Sequence, residues 1–347
     1  MTEQVLEGPD GAQAVEAERR VTFGPRRSRS KLTSSFRTPL WHRLAEKTIA
    51  VLALTAIAAI ALIFVFIARE AIPMFWESDF AQEVELPDLF FAKQWHGYDE
   101  PVYVWQPVGE PPKYNVIPLF VGSLKVTLLA MLLSVPLGIG CALFTAMYAP
   151  RRFREIVKPI IELLAGIPSV VLGFFALMVI ASWAQATFGF HFRLNAVVAA
   201  IGLALTIVPV IFTISEDALQ AVPRTLTEAA LALGARKYQV ALRVVLPAAI
   251  PGIAAGIVLG FGRAIGETMI VLMASGNAAI MELFDFTTSV RTITATIAAE
   301  LGEVAQGDPH WRVLFLLGVM LFVVTFVLNL LGDLIIQRLH QRLTASS

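Results

Sequence analysis

Long apolar runs alternate with polar connectors along most of this 347-residue chain. Residues 48–68 carry no charge, and the runs at 117–148, 159–183, 194–215, 249–275 and 313–336 carry few. About 20 apolar residues wound as a helix cross the ~30 Å hydrocarbon layer with every backbone polar group satisfied internally. The pattern therefore predicts six membrane-spanning helices and an all-α integral membrane fold. The first run follows a long hydrophilic stretch and exceeds a signal-peptide core, so it reads as a retained anchor. The expected order is an arm (1–47), a first span (48–68), a long loop (69–116), a core with five spans (117–337) and a short tail (338–347).

Composition agrees: 56% of residues are hydrophobic and 16% charged, with a mean hydropathy of +0.70, too apolar for an ordinary soluble domain. Net charge is zero, from 27 basic and 27 acidic residues, but the signs are segregated. The arm carries Arg19, Arg20, Arg26, Arg27, Arg29, Lys31, Arg37, Arg43 and Lys47. The 69–116 loop carries Glu70, Glu77, Asp79, Glu83, Glu85, Asp88, Asp99, Glu100 and Glu110 against Arg69, Lys93 and Lys113. Basic residues return at Arg151, Arg152, Arg154 and Lys158, at Arg224, Arg236, Lys237 and Arg243, and at Arg338 and Arg342. Basic loops stay in the cytoplasm, which puts both termini inside, as six spans require. The arm is expected to be solvated, with contact to anionic lipid as the alternative.

Cys141 is the single cysteine, so no disulfide forms within the chain, and the five histidines show no metal-ligand spacing. No phosphate-loop or dinucleotide fingerprint is present, so the chain itself is not expected to hydrolyse ATP, bind a cofactor or contact nucleic acid. The aromatic residues Phe90, Phe91, Trp95, Tyr98, Tyr103 and Trp105 suit a small ordered element in the outer loop, as an interface cap or a partner contact.

Between the fourth and fifth runs stand Glu228, Ala229, Ala230 and Gly234, then Val244, Leu246 and Pro247. Pro223 suits the first turn of a helix, with Thr225 or Thr227 as capping oxygens. Leu226, Ala230 and Leu233 share one face, and Gly234 permits a left-handed stop. A second helix would run from about Arg236 and end before Pro247. Two short helices meeting at a glycine make a compact knob able to dock in a groove of a soluble partner.

That spacing, an EAA segment in a basic loop (216–247), resembles the mark of membrane permeases driven by a separate ATPase. Ser215–Leu219, Leu164–Val171, Gly262–Met269 and Gly276-Asn277 are similar to the permeases of ATP-binding-cassette phosphate importers. Thr292–Ile297 and Glu300–Glu303 resemble the C-type subunit of that pair more than the A-type. Val244 stands where the family usually has Ile, and residues before about 117 lie outside the resemblance. The resemblance implies a type I ABC importer permease fold in the bacterial inner membrane, paired with an A-type permease subunit. It also implies two ATPase subunits that use the ATP, and a periplasmic or lipid-anchored phosphate-binding protein. Glu228, Ala229, Ala230, Gly234, Leu246 and Pro247 would couple to the ATPase. Permeases for molybdate or sulfate, or a gradient-driven transporter, are the competing readings.

Candidates for the path through the membrane come from the fifth run. Gly252, Gly256, Gly260, Ala264 and Thr268 recur every four residues, a stripe that lets membrane helices pack closely. Arg263 and Glu267, four apart, read either as a structural ion pair or as charges that meet phosphate. Arg291, Thr292 and Thr296 read as an outer vestibule or as a solvated helix. Lys125 reads as a side chain that snorkels to the interface or attracts anions. Pro136, Pro168 and Pro209 interrupt three runs, as hinges or as kinks.

Overall fold

The structure, a computed structural model, describes residues 40–75, 84–95 and 97–345. The basic residues expected in the arm before residue 40, together with Glu77, Asp79, Glu83 and His96, lie outside these residues, as does the side chain of Arg43. The chain divides into two compact units at residues 61 and 62. The described part of the first is the beginning of α1 (Leu40–Ala71), a continuous apolar helix longer than the 48–68 run at both ends.

The second unit holds the remaining elements. The stretch beyond α1 carries a short antiparallel ladder, β1 (Trp105–Gln106) with β2 (Lys113–Tyr114). Then come α2 (Ile117–Met147) and α3 (Arg151–Ala165), α4 (Ser169–Phe188), α5 (Ala196–Gln220) and α6 (Arg224–Ala232). These are followed by α7 (Lys237–Gly266), α8 (Met269–Ala274), α9 (Ile293–Glu300) and α10 (Pro309–Ala345). Six helices are long and apolar enough to cross a membrane among the described residues.

Packing centres on α5, whose inward face Ala199, Leu203, Ile207 and Ile211 is fully buried. The small-residue stripe of α7 lies against it. A side chain on Gly252 would collide with Ala218; one on Gly256 would come within 3.2 Å of Ile214, and one on Gly260 within 3.0 Å of Ile211. The glycines set the α5–α7 distance by having no side chain. On the other flank of α7, Gly332 of α10 takes the side chain of Val258.

Three expectations about element ends are corrected. The third run is two helices: α3 stops at Ala165, and α4 begins after Gly166, Ile167 and Pro168. Pro168 has no N–H and drives the residue before it out of the helical region. Pro136 and Pro209, by contrast, lie inside unbroken helices. The fifth span starts earlier and ends earlier than 249–275: α7 stops at Gly266, and Glu267 is extended (φ −70°, ψ 132°). Finally, α10 runs on to Ala345, so 338–345 is helix rather than a separate tail.

The loop after α1 is ordered around Val84, Leu89, Trp105, Tyr114 and Val116, packed with Leu314 and Leu317 of α10. Lys93 pairs with Asp88, a bond that raises the Lys93 pKa above its ordinary value. The same ammonium lies 5.1 Å from the Trp95 ring. Lys125 does not snorkel: it is 5% exposed and donates to the backbone carbonyls of Glu282 and Asp285, the latter at 2.7 Å. The loop after α8 folds over it.

Candidate functional site

The EAA segment forms the expected helix, α6, with Pro223 at its N-cap position and no capping side chain, so Thr225 and Thr227 do not cap it. Gly234 closes it at φ +85°, where a side chain would be strained. No residue of α6 is buried. Leu226, Leu231 and Leu233 are exposed, Leu233 at 89%, and Glu228 and Ala229 are exposed beside them, with Ala230 half-buried. The second helix does not end before Pro247. It begins after Arg236, whose backbone N–H donates to the Gln239 side chain (2.8 Å), and continues through a π-helical turn at Ala241–Val245 into the span. A proline lacks the N–H that an α-helix needs at that point, and a widened turn absorbs the mismatch. Leu246 and Pro247 are therefore inside one continuous helix, α7.

Beneath α6 lies a cleft of about 500 Å³ lined by Arg154, Gln220, Arg224, Thr227, Glu228 and Lys237 among others. Two of its lining residues, Arg154 and Gln220, also belong to an ionic knot around Glu216, which is fully buried. Lys158 of α3 donates to Glu216 (2.7 Å) and to Asp217 (2.9 Å), and Gln220 also donates to Glu216. Arg154 stands 3.8 Å from the same carboxylate and donates to the carbonyls of Thr145 (2.9 Å) and Ala146 (2.7 Å) at the end of α2. Bonds to Asp217 and then Glu216 raise the Lys158 pKa. The knot ties α2, α3 and α5 together where the EAA segment leaves the membrane core.

The second cluster surrounds the break after Gly266. Glu267 accepts from the backbone of Thr268 (3.2 Å) through its side chain and from the Thr294 hydroxyl (2.9 Å) through its carbonyl. The Thr268 hydroxyl donates to Gly266 (3.4 Å). Backbone groups freed by the break are thus met by side chains, which makes non-helical chain tolerable at this depth. The break also separates the expected partners: no ion pair joins Arg263 to Glu267 among the described residues. Arg263 is exposed and faces a cleft of about 640 Å³ between α7 and α10, lined also by Gly262, Gly266, Thr325 and Asn329. Asn329 was not singled out from sequence, although a lone amide inside the last apolar run is the signal that would have found it.

Arg291 and Thr292 stand elsewhere. Arg291 is paired with Glu300 (2.6 Å) and donates to Asn277 (3.2 Å). Glu300 also receives the Trp105 indole N–H (3.2 Å) and lies 3.0 Å from His310. Thr292 is 4% exposed and caps α9, its hydroxyl oxygen accepting from Ala295 (3.3 Å). Thr296 is fully buried and donates to the Thr292 carbonyl (2.8 Å). Thr292 and Thr296 are thus packed inside the protein, while Arg291 lines a cleft of about 510 Å³ with Trp105, Glu300 and His310.

A multi-pass helical membrane protein with an exposed helix–turn–helix knob between its fourth and fifth spans belongs to the class of transport permeases. Residues 134–345 match the family described as the binding-protein-dependent transport system inner membrane component, and the chain belongs to that family. It is 37% identical over 231 residues to a probable ABC transporter permease, YqgH, of Bacillus subtilis, covering 65% of this chain and 73% of that one. It is 35% identical over 257 residues to the phosphate transport system permease protein PstC of Mesorhizobium japonicum, covering 69% and 77%. With PstC of Xylella fastidiosa it shares 30% over 304 residues, covering 82% and 89%. Among solved structures, a bacterial ABC transporter involved in the import of alginate aligns over 86% of this chain and 98% of its own, with a TM-score of 0.54 and 18% identity. The fold is that of a type I ABC importer permease.

Proposed function

We propose that this chain is the C-type permease subunit of an ATP-driven phosphate importer in the bacterial inner membrane. The observation that carries the reading is the EAA knob: a small helix with an exposed apolar face, closed by Gly234 and continuous through α7 with the membrane core. Such a surface suits a groove in a soluble partner, and the similarity to PstC proteins supports phosphate as the cargo.

In this reading, an A-type permease subunit completes the pathway and two ATPase subunits seat on the knobs through Glu228, Ala229, Ala230 and Gly234. A phosphate-binding protein delivers substrate to the opposite end. The basic residues Arg151, Arg152, Arg224, Arg236 and Lys237 at the knob end, against Glu70, Glu85, Asp88, Asp99 and Glu100 at the other, support a cytoplasmic knob and cytoplasmic termini. ATP binding draws the knobs together and opens the spans outward; hydrolysis resets them.

The test is radiolabelled phosphate uptake in cells lacking this chain, with and without its restoration, challenged by excess sulfate or molybdate. Restored uptake that resists both competitors supports phosphate. Uptake blocked by either one keeps the permease and overturns the phosphate assignment, while uptake that survives loss of the ATPase overturns the ATP-driven reading.

A further inference from the structure

Two polar side chains from different helices line one cleft at the level of the membrane core. Gly260 packs on Ile207 and Ile211, the middle of α5, which places Arg263 one turn further along α7 at membrane depth. On α10, Asn329 reaches the same level because Gly262 has no side chain; a Cβ there would lie 3.2 Å from the Asn329 amide oxygen. Both Arg263 and Asn329 are exposed, and neither makes a hydrogen bond or ion pair with another described residue. Thr325, one turn from Asn329 on α10, lines the same cleft. Its hydroxyl proton is directed to the carbonyls of Leu321 (2.8 Å) and Phe322 (2.9 Å), so its oxygen remains an acceptor.

An arginine facing lipid at this depth is strongly disfavoured, and a bare amide is also unfavourable. Two such groups converging on one cleft mark a surface that meets water, and the arginine has no counter-ion among the described residues.

We propose that Asn329 is a phosphate-contacting residue of the pathway, acting with Arg263 across the α7–α10 cleft. The proposal rests on the phosphate-permease reading and adds to it a residue on the last span. The guanidinium supplies charge and several N–H donors to bare phosphate oxygens. The amide supplies both functions that phosphate near neutral pH requires, a donor for a bare oxygen and an acceptor for the remaining P–OH. Sulfate and molybdate, without that proton, use only the donor.

The experiment uses the complete transporter in proteoliposomes, its partner subunits free of reactive cysteines, with Cys141→Ala removing this chain's one native thiol. Asn329→Cys is challenged with a membrane-impermeant cationic thiol reagent, with and without ATP and inorganic phosphate. Phe326→Cys, on the neighbouring exposed face, serves as the control. Asn329→Cys is expected to react, with phosphate slowing the reaction, and Arg263→Gln is expected to abolish that protection. Phe326→Cys stays inert. In parallel, Asn329→Leu lowers phosphate uptake by about tenfold, the worth of one hydrogen bond to a charged group, while ATP hydrolysis stimulated by the binding protein persists. Asn329→Gln recovers part of the uptake. A thiol at 329 that is unreactive in every nucleotide state, or reactive without phosphate protection, overturns the proposal, as does normal uptake by Asn329→Leu. If the unsubstituted transporter moves no phosphate, it is the phosphate reading that falls. Protection of the thiol by sulfate or molybdate instead also rejects phosphate as the ligand of this site.

Discussion

Arg263 and Arg291 look alike along the sequence, each a candidate phosphate-path residue, yet the structure treats them in opposite ways. Arg291 is clamped by Glu300 and Asn277 within a cluster that also binds Trp105 and His310. Arg263 stands exposed on a membrane-level cleft with no partner among the described residues. A paired, partly buried arginine holds structure together, whereas an unpaired one at membrane depth is, in our proposal, left open for a mobile anion. The difference teaches that a charge's role is decided by what its neighbours leave unsatisfied.

The sharpest way to break this comparison is Arg263→Gln. It is expected to abolish phosphate uptake with membrane insertion and thermal stability unchanged, read by uptake in vesicles and by melting of the purified complex. Normal uptake would remove Arg263 from the path. Next in size is Lys158→Met, which leaves Glu216 buried with reduced compensation and destabilises by about 3 kcal/mol. A melting temperature within error of the parent would show that Arg154 and Gln220 hold the carboxylate alone. Arg291→Gln is expected to cost less, about 2 kcal/mol, because the carboxylate left behind, Glu300, keeps 13% exposure where Glu216 has none. Uptake should fall only in proportion to folded protein. A loss of uptake per folded molecule would erase the contrast with Arg263.

The smallest effect concerns pH. Lys158 has a pKa raised above the ordinary 10.5, first by Asp217 and then by Glu216. A raised lysine value gives stability that is fully present below 10.5 and is lost only as pH climbs through the folded value. Between about pH 6 and 9 the knot therefore contributes a constant amount. A Lys158-dependent change in melting temperature within that window would mean the pair is not ionised as drawn.

Much of this architecture is legible in the sequence because it rests on local physics. The apolar runs dictate the spans, Gly234 dictates the turn after α6, and the four-residue glycine spacing announces a close helix contact, though not that α5 is the partner. What is not legible depends on distant partners. The break after Gly266 stands because Thr294, 27 residues away, supplies a hydroxyl to the Glu267 carbonyl. Lys125 is buried because a loop beginning more than 150 residues later brings it two carbonyls. Arg291 is neutralised by a carboxylate at the far end of α9, and no spacing rule announces that pairing. The Arg263–Glu267 pair was expected from helical spacing, which fails where the helix stops.

The passage of α7 through its π-helical turn without interruption has a mechanical consequence. Thirty residues of continuous helix make a rod of ~45 Å at 1.5 Å per residue. One end is rooted at the EAA knob, and the other ends at the Glu267 break. A tilt of only ~5° about the knob would carry that far tip through ~4 Å, by simple leverage on a rod of this length. A hinge at Pro247 would have dissipated such a stroke near its origin; the unbroken rod delivers it to the opposite end of the membrane.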